Sequence, residues 1–178
     1  MKAKAERFEI HQSKNSHASD EICRYIEKFI ISREEFKIIA TYMPIQTEID
    51  VRPVMSSIRA LKRSLCLPVI TSEKKPLDFK VWNETTKLIE GKFKVLIPLS
   101  DQIVEPDLIL CPMLSFDSRG YRLGYGGGFY DRYIEKIEKI KKVVKIGLAF
   151  SCQKIKNIPL NQYDKKLDFI VTEKEILK

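Results

Sequence analysis

With 178 residues, 44% of them hydrophobic and 31% charged, the chain has an ordinary globular composition and enough length for one domain with a substantial core. No apolar run approaches the roughly 20 residues of a membrane helix, and the N-terminus lacks the hydrophobic core of a signal peptide, so neither is expected. The formal net charge of +8 points to an anionic partner, whether nucleic acid, a membrane surface or a small polyanion such as a nucleotide. Cys23, Cys66, Cys111 and Cys152 are scattered, with no C-x-x-C pair. Cys66 and Cys111 sit in apolar runs as buried free thiols do, which favours a reducing, cytoplasmic setting.

Residues 1–18 are polar and lysine-rich without a clear period, and read as a poorly ordered arm or a ragged helix. His11 and His17 lack the cysteine or carboxylate neighbours of a metal site and read as surface residues. From Ser19 the chain becomes helical. Ser19, Asp20 and Glu21 supply a cap and acidic residues for the positive end, and Ile22, Ile26, Phe29 and Ile30 form one apolar stripe. A buried strand is expected over Phe36 to Tyr42. Pro44 stops it, and the loop from Met43 to Asp50 lies at its carboxyl end, the edge where open α/β sheets bind ligands.

Pro53 suits the first turn of a helix carrying Val54, Ile58 and Leu61. Strands follow over Leu65 to Ile70, interrupted by Pro68, and over Leu77 to Trp82. Asn83 is expected to cap a brief helix through Leu88 and Ile89 that Gly91 ends. Further strands are read over Phe93 to Pro98 and Pro106 to Cys111. Asp117-Ser-Arg-Gly120 has the residues of a tight turn. After the glycine-rich stretch and its helix come a strand over Val143 to Phe150 and a last short strand ending at Thr172. Strands separated by helices, with no repeats and no low-complexity linker, predict a single-domain layered α/β fold with a mainly parallel sheet covered by helices on both faces.

The most informative stretch runs from Arg122 to Tyr133. The chain has only 7 glycines, and Gly124, Gly126, Gly127 and Gly128 fall within it. Glycine is destabilising inside regular elements, so such a cluster in a glycine-poor chain needs a reason. It opens directly onto Phe129 and Tyr130, and Tyr130, Tyr133, Ile134, Ile137 and Ile140 recur at helical spacing. A glycine turn at a helix start directs backbone N–H groups and the positive dipole end at one spot, which suits phosphate. A plain flexible turn is the competing reading. Arg122 and Arg132 offer phosphate-matching forks, and Asp131 offers a hard oxygen for magnesium. The lysines between Lys136 and Lys145 read as the solvated face of that helix and its exit. No aromatic-interleaved basic strand of the RNA-binding kind occurs, so nucleic acid is not an expected partner.

These residues resemble the 5-formyltetrahydrofolate cyclo-ligase family, also called methenyltetrahydrofolate synthetases. The match is carried by Asp107-Leu-Ile-Leu-Cys-Pro112, Phe116, Asp117, the run from Gly120 to Arg132, Ile146-Gly-Leu-Ala-Phe150, Gln153, Ile158, Pro159, Asp164 and Asp168. Upstream, Tyr42, Pro44, Glu48, Ile49 and Asp50 fit the family's folate-side loop. The resemblance implies a monomeric, cytoplasmic α/β enzyme that converts 5-formyltetrahydrofolate to 5,10-methenyltetrahydrofolate with ATP and Mg2+. A polyglutamylated substrate tail would suit the basic surface. Position by position, it implies that Arg122, Leu123, Gly124, Tyr125, Gly126, Gly127, Gly128, Phe129 and Tyr130 bind ATP. It likewise implies that Asp131 and Asp164 are magnesium-side carboxylates, that Glu48 hydrogen-bonds the pterin-like end of the folate, and that Met43 forms an apolar wall. Trp82 reads as a half-buried strand residue rather than a ligand platform.

The chain departs from the family pattern twice. The family opens with a lysine and an arginine one helical turn apart that reach the ATP phosphates. Counted back from Glu48, that pair falls at or before Met1, and Lys2, Lys4 and Arg7 do not reproduce its spacing. Either the start is truncated or the arm supplies substitutes, and the alternative reading is a non-catalytic folate or nucleotide binder. Ile97 stands before Pro98 where many relatives carry glutamate, which predicts a less polar pocket.

Overall fold

Residues 2–31 contain no glycine or proline, and they form one helix, α1 (Lys2–Ile31). The computed structural model describes residues 2–178, with side chains from His17 onward. Ser19, expected as the N-cap, is instead an interior, buried residue of α1, because nothing upstream breaks the helix. The expected stripe is present: Ile22, Ile26 and Ile30 are buried, with Phe29 packed beside them. Lys2, Lys4, Arg7 and His11 belong to the part of α1 whose side chains are not described.

The chain then forms β1 (Ile38–Ala40), α2 (Arg52–Ala60), β2 (Ser64–Val69) and β3 (Asp78–Val81). Pro53 occupies the first turn of α2, and Cys23 Sγ lies 3.1 Å from Ser57 Oγ across the two helices. Pro68 is tolerated inside β2 because β1 pairs only with Ser64 to Cys66, so no β1 carbonyl stands opposite the missing N–H.

The helix expected after Asn83 does not form. Asn83 Oδ1 accepts the backbone N–H groups of Thr85 and Thr86, both at 3.0 Å, and closes a local turn. The chain continues as β4 (Leu88–Glu90), antiparallel to β5 (Leu96–Pro98) in a hairpin apart from the main sheet. Gly91 does not end a helix; it is extended, and a Cβ there would stand 2.9 Å from the Ile97 side chain. Ile97 therefore packs on the hairpin's own backbone.

β6 (Leu108–Cys111), β7 (Ser115–Phe116), β8 (Arg122–Leu123), α3 (Phe129–Glu138), β9 (Val144–Leu148), β10 (Phe169–Val171) and β11 (Ile176–Leu177) complete the fold. The main sheet has the order β11-β10-β9-β6-β1-β2-β3. All its pairings are parallel except those of β3 and β11 at the edges. Alternation along the strands sends Ile39, Leu65, Leu67, Leu108 and Leu110 toward α1 and α2. Ala40, Cys66, Ile109 and Cys111 face the opposite layer, where Tyr133 and Ile137 of α3 pack. The layered, mainly parallel architecture is as expected. Adjacent β1 and β6 are left by connections running in opposite directions, to β2 and to β9, and the crevice beyond their carboxyl ends is the topological switch point.

The basic run after α3 is less solvated than its composition suggests. Lys141 pairs with Asp107, and buried Lys145 bonds Glu138 at 2.6 Å and lies 3.4 Å from Asp168. Ile140 lies beyond the helix end and is exposed. Among the described residues, no helix is long and apolar enough to cross a membrane. All four cysteines are free, and burial pushes the Cys111 thiol up to about 12.

The Asp117 turn forms as expected, closed by Gly120 N–H donating to the Asp117 carbonyl at 3.1 Å. The Asp117 carboxylate is buried and accepts from the Arg119 guanidinium, from Arg119 and Tyr121 N–H, and from Ile158 N–H at 2.9 Å. Burial alone would raise its pKa, but these donors hold it below the usual carboxylate range. Asp117→Ala leaves the buried Ile158 N–H and the part-buried Arg119 and Tyr121 donors without this acceptor, and urea unfolding should show a loss of about 3 kcal/mol at neutral pH. Because the folded pKa is depressed, the wild-type advantage is present above the unfolded value and is lost as pH falls through the folded one. The stability gap between wild type and variant should narrow accordingly in acid.

Candidate active site

The switch-point crevice is a cleft of about 760 Å3. One wall comes from the segment after β1. Tyr42 is buried and donates to the Ile49 carbonyl at 3.3 Å, and Met43 lies half-buried beside it. The chain then turns through Gln46, whose φ is 52°, so that Glu48 N–H bonds the Ile45 carbonyl at 3.1 Å and Glu48 Oε2 accepts Ile45 N–H at 3.0 Å. This reciprocal turn holds a 5% exposed carboxylate in the cleft lining.

The facing wall is the glycine stretch. Gly126 and Gly128 have φ of 90° and 61°, a region that L side chains rarely enter. Gly128 is the residue before α3, and no side chain caps the helix there. The first turn of α3 therefore directs its backbone N–H groups and dipole into the cleft beside Gly124, Tyr125, Gly126 and Gly127. Phe129, Tyr130 and Asp131 complete this wall. The β4–β5 hairpin closes the third side through Phe93, Val95 and Ile97.

Arg122 is buried, and its fork is committed. Nη2 donates to Asp131 Oδ1 at 2.9 Å and Nη1 to the Lys165 carbonyl at 3.1 Å. Asp131 Oδ1 also accepts Lys165 N–H at 3.1 Å. Arg122 thus holds the Asp131 carboxylate in place at the cleft and ties it to the segment bearing Asp164. Arg132 is not a phosphate fork here: it donates to the Lys75 and Glu73 carbonyls at 3.3 and 2.9 Å and lies over the Phe129 ring.

The Tyr130 hydroxyl is buried without a hydrogen-bond partner. Burial keeps its pKa well above the ordinary value, so it remains an O–H donor at neutral pH.

Leu123 and Asp164 lie outside the cleft lining. Leu123 is an exposed residue of β8, and Asp164 accepts from Asn161 N–H at 2.7 Å and from Asn161 Nδ2 at 3.2 Å. Trp82 follows β3, away from the cleft, with the Arg59 guanidinium over its ring. Ile97 lines the cleft, as the expectation of a less polar pocket requires, but the strand expected over Phe93 to Pro98 is confined to Leu96–Pro98, and the sequence does not single out Phe93 or Val95 as site residues. Among the described residues, no cluster of three or more His, Cys, Asp and Glu side chains is arranged to hold a metal alone. One half-buried carboxylate beside a phosphate-suited turn does fit magnesium, which takes one or two protein carboxylates and otherwise binds phosphate and water.

The family model described as 5-formyltetrahydrofolate cyclo-ligase matches residues 2–173. A 5-formyltetrahydrofolate cyclo-ligase from Haemophilus influenzae is 32% identical over 141 residues, covering 76% of this chain and 75% of that protein. A solved 5,10-methenyltetrahydrofolate synthetase from Mycoplasma pneumoniae superposes with a TM-score of 0.73 at 25% identity, covering 97% of this chain and 99% of that one. The corresponding structure from Aquifex aeolicus gives a TM-score of 0.79 at 26% identity, covering 99% and 89%.

Proposed function

The chain belongs to the 5-formyltetrahydrofolate cyclo-ligase family, and on that premise we propose that it is an ATP- and magnesium-dependent ligase converting 5-formyltetrahydrofolate to 5,10-methenyltetrahydrofolate, ADP and phosphate. The observation that carries this reading is the pairing of two unlike walls across one cleft. The glycine turn with Asp131 suits a polyphosphate, whereas Glu48, Met43 and Tyr42 suit a flat heterocycle with a hydrogen-bonding edge.

The chemistry needs no nucleophilic side chain. A formyl oxygen is a poor leaving group at neutral pH. Transfer of the γ-phosphoryl group to that oxygen releases ADP and creates a good one. The neighbouring nitrogen then attacks the formyl carbon, closes the five-membered ring and expels phosphate. Catalysis of this kind is positioning and charge neutralisation. The backbone N–H groups at the start of α3 would hold the phosphates, and Glu48 would orient the folate edge. Magnesium would neutralise phosphate charge, and Asp131 is the residue that would hold it. Asp164 would join only by exchanging its bonds to Asn161. The enzyme is read as a monomer whose basic surface accommodates the substrate's glutamate tail.

Incubation with 5-formyltetrahydrofolate and Mg-ATP should generate the methenyl chromophore and stoichiometric ADP. A folded protein that yields none and fails to bind ATP overturns the proposal. Folate binding without ATP-dependent product would instead mark a non-catalytic relative.

A further inference from the structure

We propose that the tip of the β4–β5 hairpin is a cationic clamp for the nucleotide polyphosphate, with Lys92 and Lys94 as its charged contacts. This rests on the ATP-dependent reading above. A polyphosphate in this cleft brings several negative charges against walls that already carry Glu48 and Asp131. The arginines nearest the glycine turn are engaged elsewhere, Arg122 with Asp131 and the Lys165 carbonyl, Arg132 with the carbonyls of Lys75 and Glu73. Among the described residues, the remaining cationic side chains lining the cleft are Lys92 and Lys94, both exposed and on the hairpin tip.

Their placement favours phosphate over folate. Phe93 stands between them, and its ring centroid lies 6.2 Å from that of Phe129, the first residue of α3. This contact seats the hairpin tip that carries both lysines against the start of α3, where the glycine turn ends. The tip is also conformationally strained. Phe93 and Lys94, neither of them glycine, have successive φ values of 57° and 58°. Left-handed non-glycine residues of this sort cluster at ligand clamps, where the surroundings hold them. Gly91 N–H bonding the Val95 carbonyl at 2.8 Å closes the tip and fixes the arrangement.

The test is calorimetric binding of Mg-ATP to the full chain, paired with steady-state kinetics for each substrate. Lys92→Gln/Lys94→Gln should raise the ATP dissociation constant and KM about tenfold or more, flatten their salt dependence, and move the folate KM by less than about threefold. Lys94→Gly alone removes charge while relieving the left-handed strain. It should unfold at no lower a denaturant concentration than wild type and still weaken ATP binding. Unchanged nucleotide affinity in both variants, with an active wild type, overturns the clamp and leaves the proposed activity standing. A rise confined to the folate KM overturns it equally, since the lysines would then serve the glutamate tail. A wild type that neither turns over nor binds ATP overturns the underlying activity instead.

Discussion

Asp131→Asn should lower turnover by about 100-fold or more while the protein remains folded, because the substitution separates charge from geometry. Asp131 Oδ1 accepts from Arg122 Nη2 and from Lys165 N–H, and an asparagine oxygen can take both bonds in the same place. Packing is kept, since the two side chains are nearly isosteric. What disappears is the negative charge at the edge of the glycine turn, where a phosphate-bound cation would be held. Arg122, buried, would then face a neutral partner, so some loss of stability is expected, about 1–3 kcal/mol. Parallel urea unfolding and single-turnover assays measure the two effects. Activity and stability falling together, with turnover recovering wherever the fold is restored at low temperature, would make Asp131 a structural anchor for the 165 segment and nothing more. Raising the magnesium concentration gives a second readout: a metal-holding carboxylate predicts a shifted magnesium requirement in the variant, which a purely structural role would not produce.

Glu48→Gln should raise the KM for 5-formyltetrahydrofolate about tenfold to 100-fold and leave ATP affinity near the wild-type value. Glutamine can still accept Ile45 N–H, so the turn through Gln46 should persist. The amide presents no charged acceptor to the donor groups of a pterin-like edge, and charge-assisted bonds are the stronger kind. The side chain is buried on the opposite wall from the glycine turn, which is why the two substrates should respond separately. Equal weakening of both substrates would assign Glu48 to the architecture of the cleft. A KM for folate that does not move would remove it from the site.

Much of the fold is legible locally. Ile22, Ile26 and Ile30 repeat at helical spacing, the apolar runs of β1, β2 and β6 lack a polar face, and Pro53 marks the start of α2. Each of these signals acts within a few residues of itself. The misreadings have the opposite character. Ser19 carries a capping side chain, but the uninterrupted residues before it extend the helix and the core buries it. Asn83 caps only a turn, because Leu88 to Glu90 find a strand partner at Leu96 to Pro98 that no local propensity announces. Lys145 reads as a surface charge until Glu138 and Asp168 are brought to it.

The candidate site divides the same way. Glycine spacing, the helix that follows it and the acidic residue at its start are matters of backbone freedom and of helix dipoles, which the chain writes into consecutive positions. Those features, with Glu48 after the first strand, were readable from the amino-acid sequence alone. The sequence could not say that Arg122 spends its fork on Asp131 and on a carbonyl 43 residues away. Nor could it say that the hairpin tip, with Lys92 and Lys94, lines the cleft and meets the start of α3. An ion pair or a cleft wall depends on which distant segments share a sheet edge, and that is decided by strand order and burial. The switch point between β1 and β6 made a site of residues that the sequence offered only as separate candidates.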